Sequence, residues 1–130
     1  SYTAVASDRI YATMMELARG ALAAGVPVIL DAVFSKEAER QAAEQMARDL
    51  AVRFDGIWLE ALPDVLEGRL RGRKGDASDA DVNVLRQQIG YDLGQMAWAR
   101  VDVSGTPEVV EASVRSRVMS SIRPSSAATP

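Results

Sequence analysis

Asp31 follows directly on the apolar run Val28-Ile29-Leu30, and a carboxylate at the carboxyl end of a buried strand can ligate Mg²⁺ or accept a proton from an attacking hydroxyl. The competing reading is a polar residue that caps the next loop. Glu60 after Ile57-Trp58-Leu59 and Ser104 after the apolar residues near Val101 occupy comparable positions. In open parallel sheets ligands sit beyond these strand ends. Arg69, Arg71, Arg73 and Lys74 form a basic cluster in which guanidinium forks could reach phosphate oxygens, in the manner of a lid. Asp76, Asp79 and Asp81 follow closely, so self-neutralisation at a helix end is the alternative.

Composition narrows the chemistry. The 130 residues contain no cysteine and no histidine, which removes disulfide scaffolds, thiol and imidazole catalysis, and thiolate zinc sites. Carboxylates, Arg, Lys, hydroxyls and carboxylate-held Mg²⁺ remain, the set used in phosphoryl transfer. A net charge of −3 offers no global attraction to a polyanion, and no aromatic residue falls between Trp58 and Tyr91 to interleave with the basic cluster, so nucleic acid is not an expected partner. Trp58 and Trp98 read as packing residues rather than stacking platforms. No apolar run approaches the roughly 18 residues of a membrane span, so no membrane partner and a cytoplasmic location are expected.

The elements that must position these residues alternate. Apolar residues from Asp8 to Ala24 recur at helical spacing, and Gly25 and Pro27 end that helix. Val28–Leu30 reads as a buried parallel strand. Ser35 is placed to cap a helix running to near Val52, Ile57–Leu59 is a second strand, and Pro63 opens a short helix through about Leu70. Arg71–Ala77 reads as a loop, and Ser78 with Asp81 as a capping box for a helix through Ile89. A third strand over Arg100–Val103 leads through Ser104-Gly105 to Thr106-Pro107, which opens a last helix through Val118. From Pro124 onward the composition predicts a disordered tail. The expected fold is therefore α/β: a partial doubly wound parallel sheet of about three strands over residues 1–123, with a tail at 124–130.

The phosphate-cradling motif G-x-x-x-x-G-K-[ST] is absent; Gly20 and Gly25 have the spacing, but Val26 and Pro27 follow where Lys and a hydroxyl residue are needed. Three segments nevertheless carry a resemblance: V-I-L-D-A-V-F-S-K-E-A-E-R (Val28–Arg40), F-D-G-I-W-L-E-A (Phe54–Ala61) and R-L-R-G-R-K-G-D-A-S-D-A-D (Arg69–Asp81), extended by W-A-R-V-D-V-S-G (Trp98–Gly105). Together they resemble bacterial AAA-family ATPases of the P-loop kinase type, related to zeta toxins, gluconate kinases and polynucleotide kinases and often fused to an aminoglycoside-phosphotransferase-like domain.

The resemblance implies ATP- and Mg²⁺-dependent phosphorylation of a small-molecule hydroxyl. It implies Asp31 as catalytic residue near Mg²⁺ and the acceptor, Arg69 and Arg73 as lid arginines on the phosphates, and Ser104 and Gly105 beside the nucleotide. It also implies that the first strand, P-loop and first helix of such a domain precede Tyr2, so that this chain is the C-terminal part of a kinase domain, inactive alone. The alternative is a non-catalytic interaction module that self-associates through open strand edges.

Overall fold

The computed structural model describes residues 2–72, 79–89 and 92–122. Its contacts divide into two units, Ser1–Phe54 with Asp92–Met96, and Asp55–Tyr91 with Ala97–Pro130.

The first unit is built on two helices, α1 (Tyr2–Ala23) and α2 (Glu37–Asp49). Helix α1 starts earlier than the expected Asp8 and stops where Gly25 allows: Gly25 has φ 82°, the Val26 N–H donates to the Ala21 carbonyl at 2.9 Å, and the Gly25 N–H donates to the Leu22 carbonyl at 3.0 Å. This crossed pair satisfies the last carbonyls of the helix, and a left-handed residue is what it requires. Helix α2 ends the same way, with the Val52 N–H on the Ala47 carbonyl at 3.0 Å and the Ala51 N–H on the Arg48 carbonyl at 3.1 Å. Here the left-handed position falls to Ala51, φ 55°, whose Cβ makes the conformation costlier.

At its start, α2 is capped from Lys36 and not Ser35: the Lys36 N–H donates to Glu39 Oε1 at 3.1 Å, the return half of a capping box. The face of α2 carrying Arg40, Ala43, Met46 and Ala47 is buried, and Ala18 of α1 and Phe34 of the connecting loop complete the apolar interior of this unit. The spacing of three and four residues along α2 is what places them on one stripe.

Val28–Leu30 is a correction to the expected strand. The segment has no regular secondary structure, and Ile29 is 93% exposed. A strand exists only through the ladder it shares with a neighbour, and among the described residues none pairs with this one. The apolar run records strand propensity; it cannot supply the partner.

The second unit holds the sheet. Strands β1 (Ile57–Glu60) and β2 (Ala99–Asp102) pair in parallel, with Ile57 opposite Ala99 and Glu60 opposite Asp102. The ladder continues at both ends, from the Ala99 N–H to the Gly56 carbonyl at 3.0 Å and from the Val103 N–H to the Glu60 carbonyl at 2.8 Å. The described residues thus contain a two-stranded sheet where about three strands were expected. Parallel strands need a long crossover, and the chain between them forms α3 (Pro63–Gly72) and α4 (Asp79–Ile89). Helix α3 continues through Arg71 and Gly72, which the sequence reading assigned to the loop.

Among the described residues of this unit, Val82 of α4 and Val101 of β2 are buried. Gly56 sits where a Cβ would collide with the indole of Trp98, so a glycine is needed at the entrance to β1. After β2, Thr106 Oγ1 accepts the Val109 N–H at 3.3 Å and Pro107 occupies the first turn of α5 (Pro107–Ile122), the cap-plus-proline start the sequence predicts. Among the described residues no helix is long and apolar enough to cross a membrane. The expected tail at 124–130 lies outside the described residues.

Candidate functional site

The carboxyl ends of β1 and β2 carry Glu60 and Asp102, and Ser104 and Gly105 follow β2. Asp102 closes β2 and folds the next turn onto itself: its Oδ1 accepts the Ser104 N–H at 2.8 Å. The Ser104 hydroxyl, then that N–H, and the nearby Arg69 guanidinium hold the Asp102 carboxyl below its ordinary value of 3.8, against the opposing effect of desolvation. Arg69, on the last turn of α3, donates from Nη2 to the Gly105 carbonyl at 3.0 Å. The structure therefore brings Arg69, Ser104 and Gly105 together, with Asp102 as the group that shapes the turn.

Among the described residues, two ion pairs link elements of the same unit. Arg100 Nη1 meets Glu60 Oε2 at 2.7 Å across the ends of the paired strands. Arg86 of α4 donates from Nε to Glu67 Oε1 at 2.8 Å and from Nη2 to Glu67 Oε2 at 3.5 Å. That side-on pair ties α4 to the helix carrying Arg69. The hydrogen bond from Arg86 is the main cause that keeps the Glu67 carboxyl below its ordinary value of 4.5, helped by the charges of Arg86 and Arg71. Glu60, a candidate ligand residue by position, is engaged by Arg100.

Asp31 belongs to the first unit and is exposed. Its loop is anchored three residues later at Phe34, whose N–H donates to the Tyr11 hydroxyl at 2.8 Å and whose carbonyl accepts from Arg40 Nη1 at 2.8 Å. On the other side of Asp31, Val28–Leu30 and the α1 residues Ile10, Met14 and Leu17 line an open apolar groove of about 590 Å³. Arg73 and Lys74 of the basic cluster lie outside the described residues.

Asp102, Tyr11 and Arg40 are the residues sequence reasoning missed. Asp102 stood two places before Ser104 in D-V-S-G, the spacing of an Asx turn. Arg40 shares the Arg40, Ala43, Ala47 stripe with buried alanines, which was a legible sign that it points inward. Tyr11 carried no comparable signal.

What the arrangement offers is the exposed Asp31 carboxylate in the first unit and, in the second, a guanidinium beside a tight polar turn at the end of a parallel sheet. Such turns at strand ends are ligand-facing positions in doubly wound folds. No curated protein and no solved structure matches the chain. A family model described as an AAA domain matches residues 1–91, which is more than half of the sequence. The chain therefore belongs to the AAA domain family, a nucleotide-binding class of kinase-like and ATPase-like domains.

Proposed function

We propose that this chain acts in ATP-dependent phosphoryl transfer to the hydroxyl of a small molecule, with the phosphate-cradling loop supplied by a segment other than these 130 residues. The family match over residues 1–91 carries the reading. The grouping of Arg69, Ser104 and Gly105 at the carboxyl ends of two parallel strands supports it.

In this scheme the acceptor oxygen attacks the γ-phosphorus and forms the new P–O bond, while the bridging P–O bond to ADP breaks and its electron pair stays on the ADP oxygen. The acceptor proton goes to the Asp31 carboxylate. Arg69, and Arg73 from the lid segment, neutralise the phosphate oxygens, and the Ser104-Gly105 turn borders the nucleotide. Mg²⁺ bound with ATP supplies further charge neutralisation. Asp31, an exposed carboxylate, is the residue of this chain that would help hold that metal.

An ATP-consumption assay on the gene product that includes the G-x-x-x-x-G-K-[ST] segment tests this. Asp31→Asn is expected to lower kcat by roughly 10²–10⁴, the range for losing a general base. Unchanged turnover would remove Asp31 from the chemistry.

A second reading, a non-catalytic module that self-associates and is joined in longer proteins to an aminoglycoside-phosphotransferase-like domain, is favoured by the exposed Ile10, Leu17 and Ile29. Sedimentation of the isolated chain separates the two, since this reading predicts a concentration-dependent dimer weakened by Leu17→Lys.

A further inference from the structure

Phe34 is an odd residue to find where it is. Its backbone is left-handed, φ 49°, a region that bulky L-residues avoid, and its side chain is only 3% exposed. Ala51 shares the conformation, but Ala51 closes a helix, where the crossed carbonyl pairing demands it; Phe34 closes none.

Side chains hold it there from every direction. The Tyr11 hydroxyl accepts its N–H, Arg40 Nη1 donates to its carbonyl, and its ring meets the Tyr11 ring edge-on, with centroids 5.3 Å apart at 75°. Arg40 is itself 2% exposed, and its other arm, Nη2, donates to the Leu93 carbonyl and to the Gln95 carbonyl at 3.4 Å. One buried guanidinium thus clasps the loop after Asp31 to the segment 92–96. The rigid, planar fork of a guanidinium aims donors at carbonyl groups on two segments in fixed directions, whereas a lysine ammonium is a compact charge on a flexible stem.

Strained backbone persists where surrounding groups over-determine it, and such places cluster at functional sites. Here the over-determined residue lies three positions after Asp31 and two before Lys36, the cap of α2. Three residues of chain span at most about 10–11 Å, so fixing Phe34 keeps Asp31 within that reach of the anchor.

We infer that Tyr11 and Arg40 are positioning residues for Asp31, locking the Asp31–Phe34 turn in its left-handed form so that the carboxylate is set before the acceptor arrives. The inference rests on the proposed role of Asp31 in phosphoryl transfer, and it adds two residues that would touch neither nucleotide nor acceptor. Preorganisation of this kind acts on turnover more than on nucleotide affinity.

Two conservative variants test it: Tyr11→Phe keeps the ring contact and removes the acceptor, and Arg40→Lys keeps the charge and removes the fork. In the isolated chain, NMR should show the Phe34 amide exchanging roughly tenfold faster in either variant, with the Asp31 carboxyl and amide resonances displaced, as expected when a local anchor opens. Asp31 resonances that stay in place would overturn the inference whatever the activity does. In the active protein, each variant should lower kcat by about 10- to 100-fold with the KM for Mg-ATP unchanged, and should cost nothing further in an Asp31→Asn background. Additive losses, with Asp31→Asn itself strongly impaired, would overturn positioning while leaving the functional reading standing. Full turnover in Asp31→Asn would overturn the functional reading and the catalytic consequence together.

Discussion

Replacing Arg40 with methionine keeps an unbranched stem and removes the guanidinium. Among the acceptors in the described residues, the Phe34 carbonyl at 2.8 Å and the Leu93 carbonyl are close, and the Gln95 carbonyl at 3.4 Å is long enough to contribute little. Two charge-assisted hydrogen bonds are worth about 1.5–3 kcal/mol each, so the gross loss is about 3–6 kcal/mol. Relief of the left-handed Phe34 backbone returns about 1–2 kcal/mol, and the variant no longer desolvates a buried cation. The difference spans about 1–5 kcal/mol before that desolvation gain, and a net loss near its middle, about 2–3 kcal/mol, is expected. In urea unfolding followed by circular dichroism, a slope of about 1.5 kcal/mol/M converts this to a midpoint lower by about 1–2 M. A midpoint unchanged within about 0.3 M would refute the reasoning, because the clasp would then carry no free energy.

Other outcomes follow from the same geometry. Gly56→Ala should destabilise by about 1–3 kcal/mol, since the new methyl collides with the Trp98 indole, and the loss should appear as altered tryptophan fluorescence and a lower thermal midpoint. Ala51→Gly should stabilise by roughly 0.5–1 kcal/mol in urea, because glycine removes the Cβ penalty at the end of α2. Arg69→Ala in the active protein should lower kcat by roughly 10- to 100-fold, the equivalent of one charge-assisted contact, with far-ultraviolet circular dichroism unchanged. The folded-state value of Asp102 lies below 3.8, so its stabilising contribution is complete above 3.8 and is lost as pH falls through that lower folded value. Ser104 and Gly105 amide resonances should therefore shift only in acid, and Asp102→Asn should remove that transition.

Helices and their punctuation were largely legible, because their signals are local: Gly25 ends α1, and Thr106-Pro107 opens α5 with the hydroxyl cap its residue types predict. Ile57-Trp58-Leu59 and the residues around Val101 were legible as strands because each finds the other. Val28-Ile29-Leu30 reads the same way in sequence yet finds no strand partner among the described residues, since pairing is a property of two segments and propensity of one. Ala51 was hidden for a related reason: helix-end geometry overrode the preference of its side chain. At the candidate site, Ser104 stands out in sequence by its place after a strand and Arg69 by its basic neighbours, and the fold brings Arg69 onto the Gly105 carbonyl. The Tyr11–Phe34–Arg40 anchor was not, because it depends on separations of 23 and 53 residues that no local pattern encodes.

As proposed, these 130 residues contribute acceptor, lid and nucleotide-bordering groups, and the phosphate-cradling loop comes from elsewhere. Isothermal titration of Mg-ATP into the 130-residue chain tests it most directly. Without backbone N–H groups arranged around the phosphates, the account predicts no saturable heat up to about 1 mM ATP, a bound of roughly −4 kcal/mol in binding free energy. Stoichiometric binding at micromolar ATP would contradict it.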